Sequence, residues 1–376
     1  MTGVAVLGST GSIGRQTLEV IEGLGPECRV LGLGAGRESD AFAAQLAAHP
    51  RARVWCAAGR PDLAAGRWAD GGLEELATLD GVDLVVVATT GMAALPAVLS
   101  ALRAGRVVAL ANKETLVIGG HLVTAVLDGL GGDPLDRLRP IDSEHSAIWQ
   151  CLVGERLDEV ERLVLTASGG PFRGRAPETR GGVTADEALA HPTWRMGPKI
   201  TIDSATLVNK AFEVIEAKWL YRLPYSRIDA VIHPQSVVHS LVEFVDGSYK
   251  AQLGLPDMRL PIQYALTFPT RVPSPARRSS PEAWETLTFA PLRAGAFPAY
   301  EAVRSAADAG GNRGTILNAA DEVAVAAFLA GRIAFPAIAE TIASAVDRWG
   351  DDRAPSLEEI VALDAEVRAT LSEASH

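Results

Sequence analysis

The sequence predicts an α/β protein with an N-terminal doubly wound parallel-sheet domain, a central α+β domain and a C-terminal helical domain. Over residues 3–140, short apolar runs alternate with helical patterns, which is typical of a parallel sheet covered on both faces. After residue 141 the pattern becomes mixed, and after residue 296 the chain is alanine-rich with helical spacing. We therefore expect domains at residues 1–141, 142–270 and 296–376, joined across a linker at 271–295.

Continuous apolar runs in the first domain are candidate buried strands. They occupy residues 4–7, 30–33, 53–55, 84–87 and 107–110. Continuous rather than alternating apolar runs are expected when both faces of a strand are covered. The first helix is predicted at residues 12–22, where Ile13, Leu18 and Ile21 have helical spacing.

The central region contains strand-like segments, a helix and a loop. Residues 163–166 and 228–244 have strand-like patterns, and residues 205–220 have a helical one. Two prolines and a glycine interrupt the segment near residues 191–200, so a mobile lid that covers a ligand is expected there. Further along, a proline-rich linker and two C-terminal helices are expected at residues 271–295, 322–329 and 334–349.

Composition and charge exclude several classes of protein. The net charge of −11 weighs against nonspecific nucleic-acid binding. The longest apolar runs are too short to span a bilayer, so no membrane partner is expected. The three cysteines do not form a CxxC pair, and no targeting segment precedes the first strand-like run. These features predict a reducing, cytoplasmic location.

A glycine-rich turn links the first predicted strand to the first helix. Gly8, Gly11 and Gly14 have GxxGxxG spacing, which departs from the simple GxGxxG fingerprint of dinucleotide binding. Glycines at such a turn let the backbone approach a pyrophosphate at the helix N-terminus. After the second strand, Gly36 and Arg37 stand where a positive charge favours NADP over NAD. The alternatives are an ordinary strand-helix turn and a solvated surface arginine.

Two charged residues follow the fifth predicted strand. Lys113 and Glu114 lie at the carboxyl edge of the sheet, where ligands bind in such folds. Lys113 could polarise a substrate oxygen, and Glu114 could contact the cofactor or orient the lysine. A charge pair at a helix start is nearly as good an interpretation.

Three carboxylates could hold a divalent cation. Asp142 and Glu144 are two residues apart, so an extended backbone would direct both to one side. Glu213 is expected to share a helix face with Asn209 and Lys210. Carboxylates without cysteine suit Mg²⁺ or Mn²⁺ better than zinc. The alternative is a set of solvated charges with a local Lys210–Glu213 ion pair.

Small polar donors in the central region could bind a phosphate. Ser168 follows a predicted strand, and Ser204 precedes a predicted helix, where it could equally be an N-cap. Ser143, Asn209 and Lys210, beside the carboxylates, could also donate hydrogen bonds to a phosphate. His191 lies in a His-Pro loop, where a histidine is most often structural.

With these residues in view, the chain resembles the 1-deoxy-D-xylulose 5-phosphate reductoisomerase family of the non-mevalonate isoprenoid pathway. The matching motifs stand in the family's order along all three regions. They are residues 8–14, 111–114, 142–145, 167–172, 191–192, 203–206, 209–210, 232–236 and 318–322.

The resemblance implies a role for each matching residue. The implied metal ligands are Asp142, Glu144 and Glu213, and the implied phosphate-binding residues are Ser168, Ser204, Asn209 and Lys210. Other implied substrate contacts are Lys113, Ser143 and His191; the catalytic candidates are Lys113, Glu144 and His191. The implied cofactor-binding residues are Thr10, Gly11, Ser12, Ile13, Gly36, Arg37, Asn112, Glu114 and Gly197. Trp194 and Met196 match the family's lid.

The implied reaction rearranges 1-deoxy-D-xylulose 5-phosphate and reduces the product with NADPH, giving 2-C-methyl-D-erythritol 4-phosphate. Mg²⁺ or Mn²⁺ is the implied metal, and a homodimer is the implied assembly. One departure is Asp321, where asparagine is expected as often. The rival interpretations are a plain NADP-dependent dehydrogenase of a small phosphorylated substrate and a non-catalytic NADP-sensing protein.

Overall fold

The computed structural model describes residues 1–60, 62–64, 66–194, 196–284 and 286–374. Arg195 of the predicted lid, Glu285 of the predicted linker and residues 375–376 therefore lie outside the described part. The chain divides into two compact units, each made of discontinuous segments. Unit 1 comprises Met1–Thr115, Leu122–Trp149 and Asp257–Arg278, and unit 2 comprises Leu116–His121, Gln150–Pro256 and Ser279–His376. The domain division made from the sequence stays a prediction.

Unit 1 is built on a parallel sheet with strand order β3-β2-β1-β4-β5-β6. The strands are β1 (Thr2–Leu7), β2 (Cys28–Ala35), β3 (Arg53–Cys56), β4 (Leu84–Val87), β5 (Val107–Leu110) and β6 (Leu138–Pro140). Strand order reverses between β1 and β4, which creates the crevice where doubly wound sheets bind nucleotides. Every side chain of β4 is buried, as its continuous apolar run predicts. β6 was not predicted.

Helices surround this sheet. Those wholly or mainly in unit 1 are α1 (Ser12–Leu24), α2 (Asp40–Ala48), α3 (Gly72–Thr78), α4 (Leu95–Arg103), α5 (Glu114–Leu130), α6 (Pro134–Arg137), α7 (Ser143–Leu152) and, much later in the chain, α11 (Arg259–Thr267). The unpredicted helix α11 belongs to the segment of chain that returns to unit 1 after residue 256. α5 is kinked at Gly119, whose φ of −125° and ψ of 22° are not helical.

Unit 2 contains a mixed sheet with strand order β10-β9-β7-β8-β11. Its strands are β7 (Val160–Ala167), β8 (Ile228–Ile232), β9 (Val238–Phe244), β10 (Tyr249–Leu253) and β11 (Ala290–Pro291). β7 and β8 are parallel and the other pairs are antiparallel. The prediction of one strand over residues 228–244 was wrong. A turn divides it, because His233 Nε2 accepts the backbone N–H groups of Val237 and Val238 at 3.2 and 3.1 Å.

The helices of unit 2 pack around one apolar core. They are α8 (Ala185–Leu189), α9 (Pro198–Thr206), α10 (Val208–Tyr221), α12 (Pro298–Ala309), α13 (Arg313–Leu329), α14 (Ala337–Trp349) and α15 (Leu357–Ala374). Phe212, Ile316 and Ile338 are among the buried residues of this core. Among the described residues, the helices fall short of the length and apolarity needed to cross a membrane.

The predicted helix at 205–220 is interrupted, so that prediction was wrong at its start. α9 ends at Thr206, and Leu207 has a left-handed backbone with φ of 61° before α10 begins. The Thr206 hydroxyl donates to the carbonyl of Ile202 and accepts from the N–H of Val208. Such side-chain bonds compete with the helical ladder. Ser204 therefore lies in the last turn of α9, not at an N-cap.

Gly120 lies in the Leu116–His121 segment of α5, which belongs to unit 2, and it allows close packing against α10 of the same unit. A Cβ at Gly120 would overlap the indole of Trp219. We expect Gly120→Ala to lower the free energy of unfolding by about 1–3 kcal/mol, because overpacking forces the backbone or the indole to shift. Thermal unfolding monitored by circular dichroism measures the change.

Gly129 of the same helix supplies the matched control. No described atom lies within 4 Å of the position that its Cβ would take. Gly129→Ala should raise stability by about 0.5–1 kcal/mol, because alanine loses less backbone entropy in a helix. Equal effects of the two substitutions would contradict the packing argument.

Candidate active site

The glycine turn joins β1 to α1 at the reversal of strand order in unit 1. Gly8 has a φ of 89°, and a Cβ there would overlap the carbonyl oxygen of Ala88 after β4. A Cβ at Gly14 would overlap the carbonyl oxygen of Gly8. Gly11 is the N-cap of α1. Only glycine fits this close approach, which leaves the N-terminal N–H groups of α1 facing a ligand position.

A cavity of about 460 Å³ opens beside this turn. The cofactor candidates Thr10, Gly11 and Gly36 line it, and its apolar walls include Trp55, Leu73 and Pro96. The volume is in the range of small-molecule and cofactor sites. Ser12 and Arg37 are exposed and Ile13 is half-buried. The apolar walls were not identified from the sequence, because nothing in the pattern distinguishes Trp55 and Leu73 from ordinary packing residues of a strand and a helix.

Gln45 holds the glycine turn in place and was missed from the sequence. The Ser9 hydroxyl donates to Gln45 Oε1 at 2.7 Å, and Gln45 Nε2 donates to the Ser9 carbonyl at 2.9 Å. The backbone N–H groups of Gly8 and Ser9 also donate to the carbonyl of Gly34, which ties the turn to the end of β2. Ser9 and Gln45 are 36 residues apart, so no local pattern could have revealed the pair.

The carboxyl ends of β5 and β6 carry a second group of candidates in unit 1. Asn112 Nδ2 donates to the carbonyls of Thr89 and Gly91 and to Glu114 Oε2, at 3.0, 3.1 and 3.0 Å. Lys113 Nζ lies 2.5 Å from Asp142 Oδ2, and both side chains are nearly buried. Since β5 and β6 are adjacent and parallel, their following residues meet at one edge of the sheet.

Asp142 and Glu144 do not lie on an extended backbone, so that expectation was wrong. α7 begins at Ser143, and the Asp142 carbonyl already accepts the N–H of Ser146. The two carboxylates nevertheless approach each other, with oxygens within 4.8 Å. Ser143 Oγ donates to Glu144 Oε2 at 2.6 Å. The start of α7, instead of an extended backbone, therefore brings the carboxylates of Asp142 and Glu144 together.

Glu213 lies on α10 in unit 2 and is almost fully buried. It forms an ion pair with Lys210, and Asn209 Nδ2 donates to its Oε1 at 2.5 Å. The three side chains therefore share one helix face, as their spacing predicts. The local ion pair that was the alternative interpretation is also present.

In unit 2, the loop after β7 brings Ser168 to His191 and passes close to the end of α9, where Ser204 lies. Ser168 follows β7, and its Oγ lies 3.1 Å from His191 Nε2. A Cβ at Gly170 would lie 2.6 Å from the carbonyl oxygen of Ser204, so the loop after β7 passes closely over the end of α9. Gly197 is the N-cap of α9, at the other end of the same helix.

The hydrogen bonds of His191 define its tautomer. Its Nδ1 accepts the backbone N–H groups of Thr193 and Trp194 at 3.1 and 2.9 Å. Because a backbone N–H can only donate, the proton of the neutral ring lies on Nε2 and points to Ser168 Oγ. Burial lowers the pKa of His191, which keeps the ring neutral near pH 7.

The Trp194 ring lies over His239 of β9, with ring centroids 6.4 Å apart. Burial, with a smaller contribution from the nearby charge of Lys210, lowers the pKa of His239 to about 4. Met196 belongs to the same predicted lid and is half-buried. His239 was not a candidate from the sequence, because it lies within an otherwise apolar strand pattern.

Together, a doubly wound sheet, a glycine turn at its strand reversal and paired carboxylates at its carboxyl edge define a nucleotide-binding α/β enzyme. The sequence model for 1-deoxy-D-xylulose 5-phosphate reductoisomerase matches residues 4–120, and two models for the C-terminal domain of this enzyme match 138–221 and 253–370. The chain belongs to the 1-deoxy-D-xylulose 5-phosphate reductoisomerase family, which confirms the resemblance noted in the sequence.

Relatives match along the whole chain. The 1-deoxy-D-xylulose 5-phosphate reductoisomerase of Pelotomaculum thermopropionicum is 48% identical over 375 residues, covering 97% of this chain and 96% of the relative. That of Geobacillus kaustophilus is 47% identical over 382 residues, covering 97% of each.

Solved structures of the family have the same fold. A DOX-P reductoisomerase in complex with NADPH, fosmidomycin and magnesium has a TM-score of 0.90 and 36% identity, covering 100% of this chain and 98% of that one. The Zymomonas mobilis enzyme in complex with NADPH has a TM-score of 0.90 and 37% identity, covering 100% and 99%. The predicted fold class is confirmed.

We expect His191 and His233 to be neutral at pH 7 in opposite tautomers. His233 Nε2 accepts two backbone N–H groups, and its Nδ1 lies 2.8 Å from the Thr288 carbonyl, so its proton lies on Nδ1. Burial lowers the pKa of both rings, so both should titrate below about 6.5. Imidazole ¹⁵N NMR measures tautomer and titration together.

Ser168→Ala is the control for this measurement. It removes the acceptor of the His191 proton and leaves the contacts of His233 unchanged. Protons on the same nitrogen of both rings would contradict the hydrogen-bond assignment.

Proposed function

We propose that this chain catalyses the NADPH- and divalent-metal-dependent rearrangement and reduction of 1-deoxy-D-xylulose 5-phosphate to 2-C-methyl-D-erythritol 4-phosphate. One observation carries the proposal: the glycine-turn cavity and the Asp142–Glu144 carboxylate pair lie at the carboxyl edge of the same sheet of unit 1. Relatives named for this activity match the chain over its full length. A plain dehydrogenase, the alternative considered from the sequence, needs no such acid pair.

The cavity of unit 1 fits a dinucleotide. The glycine turn leaves room for a pyrophosphate, and Gly36 has open space where a side chain would otherwise project. Arg37 follows Gly36 in the loop after β2, where its positive charge favours the 2′-phosphate of NADPH. We assign cofactor binding to Thr10, Gly11, Ser12, Ile13, Gly36, Arg37, Asn112, Glu114 and Gly197.

The carboxylates fit a hard divalent cation. The ligands proposed for Mg²⁺ or Mn²⁺ are Asp142, Glu144 and Glu213, all oxygen donors. Bound at their sites, the cation supplies Lewis acidity toward substrate oxygens and NADPH supplies a hydride. Lys113 beside Asp142 and Lys210 beside Glu213 offset part of the acidic charge. These contacts stabilise carboxylates that would otherwise be buried with like charges.

The substrate's phosphate is proposed to bind Ser168, Ser204, Asn209 and Lys210. Ser168 Oγ accepts from His191 Nε2 and from the N–H of Gly170, so its own proton is directed to a further acceptor. Binding the remote phosphate supplies energy for ordering the reacting end of the substrate. The lid near residues 191–200, with Trp194 over His239, then keeps water from the site.

The remaining candidates act on the reacting end. Ser143 is a proposed hydroxyl contact, held beside Glu144 by a hydrogen bond. Lys113 and Glu144 are the proposed groups for moving protons, since both have titratable side chains at the carboxyl edge of the sheet. His191, neutral with its proton on Nε2, acts as a hydrogen-bond donor rather than as a cation. We also propose that the chain forms a homodimer and that it is cytoplasmic. Sedimentation equilibrium of the purified chain tests the dimer.

NADPH oxidation with 1-deoxy-D-xylulose 5-phosphate tests the function. The assay is run with Mg²⁺, with Mn²⁺ and with chelator, and the product is identified by mass and NMR. Metal-dependent oxidation that yields the branched polyol phosphate supports both half-reactions. Absence of turnover in folded, NADPH-binding protein would overturn the proposal.

Glu213→Gln should lower kcat/KM by at least about 100-fold, because it removes a charged metal ligand. The affinity for NADPH, measured by fluorescence titration, should be unchanged. Glu243→Gln is the control, since Glu243 is a carboxylate of unit 2 that is paired with Arg162. An equal loss of NADPH affinity would contradict the assignment of Glu213 to the metal.

Arg37→Asp should weaken NADPH binding by about tenfold or more and leave NADH binding nearly unchanged, because it reverses the charge proposed to meet the 2′-phosphate. Dissociation constants for both cofactors measure this. Arg29→Asp is the matched control, because Arg29 lies at the opposite end of β2. An unchanged NADPH-to-NADH preference in Arg37→Asp would exclude this role.

A further inference from the structure

A cluster of two buried carboxylates and the partly exposed Lys199 in unit 2 lies outside the residues assigned above. Lys199 Nζ lies 2.6 Å from Asp203 Oδ2 and 2.6 Å from Asp321 Oδ2. The Asp203 side chain is 4% exposed, and that of Asp321 is fully buried. The Lys199 ammonium also lies 5.4 Å from the centre of the Phe212 ring. Burying such charges is costly unless they are paired, so their arrangement is tightly constrained.

The cluster joins α9 to α13. Lys199 stands in the first turn of α9 and Asp203 one turn later, while Asp321 lies in the middle of α13. α9 begins at the predicted lid, and it carries Gly197 at its N-cap and Ser204 in its last turn. Both of these residues have proposed roles in binding. The position of α9 therefore controls two parts of the site.

A further ion pair lies next to the cluster. Glu322, the next residue of α13, is paired with Arg368 of α15. Burial raises the pKa of Asp321, with Glu322 acting in the same direction and Lys199 opposing it. An asparagine at this position would keep an oxygen acceptor for Lys199 without the extra charge.

We propose that Asp321 is a positioning residue, which through Lys199 and Asp203 fixes α9 on α13 and so holds Ser204 in place for the substrate's phosphate. The proposal rests on the proposed function for the role of Ser204. Asp321 touches neither substrate nor cofactor in this role. Its effect is exerted through the position of the helix.

Three variants test the role of Asp321. Asp321→Ala removes the tie, and the KM for 1-deoxy-D-xylulose 5-phosphate should rise about tenfold, with kcat reduced less, because the phosphate-binding helix is misplaced. Asp321→Asn should restore the KM, since its amide oxygen can still lie beside the Lys199 ammonium. Asp364→Ala is the matched control, because Asp364 is a buried carboxylate paired with Arg368 on α15 and lies outside the α9 cluster.

Two outcomes would overturn the proposal. One is an unchanged KM in Asp321→Ala, and the other is an equal KM increase in Asp364→Ala, which would indicate general destabilisation. Hydrogen exchange of α9 and calorimetric binding of inorganic phosphate give readouts without turnover. They should change in Asp321→Ala alone, so they test the positioning role even if the enzyme assay fails in the unsubstituted protein.

The pH dependence of stability provides an independent measurement. Because the folded-state pKa of Asp321 is raised, the stability it contributes is present at low pH and is lost as pH rises through that pKa. Asp321→Asn cannot ionise, so its melting temperature should rise relative to that of the unsubstituted protein as pH increases from about 4 to the folded-state pKa of Asp321, and the difference should then level off. A difference that stays constant with pH would show that Asp321 has no raised pKa in the folded protein.

Discussion

The close approach of the glycine turn to the end of β4 is the constraint on which unit 1 depends. Gly8 passes against the Ala88 carbonyl, and Gly14 packs against Gly8 itself. Any side chain at either position would push α1 away from the sheet. The same approach exposes the start of α1 to the cavity, so one steric requirement creates both the helix–sheet packing and the anion-binding end of the helix. Gln45 secures this arrangement by two hydrogen bonds to Ser9.

Lysine–carboxylate contacts recur among the buried acids of the proposed site and its surroundings. Lys113 meets Asp142, Lys210 meets Glu213, and Lys199 meets Asp321. Removing one partner of the Lys113–Asp142 or Lys210–Glu213 pair leaves an uncompensated buried charge, which costs about 3–5 kcal/mol. The first two pairs consist of residues with proposed roles in binding, whereas the third fixes helices. Lysine–carboxylate pairing thus holds proposed binding residues in two places and joins two helices in a third.

The sequence predicted what depends on apolar periodicity and missed what depends on side-chain hydrogen bonds. The strands of unit 1 were located because buried parallel strands are continuously apolar. The break at Leu207 was missed because it contains neither glycine nor proline, and Thr206 creates it through its hydroxyl. The close approach of Asp142 to Glu144 was anticipated, but from an extended backbone instead of a helix start. Gln45 and His239 could not be identified because their partners, Ser9 and Trp194, are distant in sequence, and Trp55 could not because its cavity forms only in the fold.

The neutral state of the histidines in unit 2 bears on how a phosphate would be recognised. Burial lowers the pKa of both His191 and His239, so neither ring carries a charge near pH 7. In the proposed phosphate-binding set, Lys210 is then the cation, and the other members donate neutral hydrogen bonds. The second ionisation of a phosphate monoester, with a pKa of about 6, is therefore the titration that governs this contact near neutrality. Since hydrogen bonds from a cation to a dianion are the stronger ones, binding should favour the fully ionised substrate.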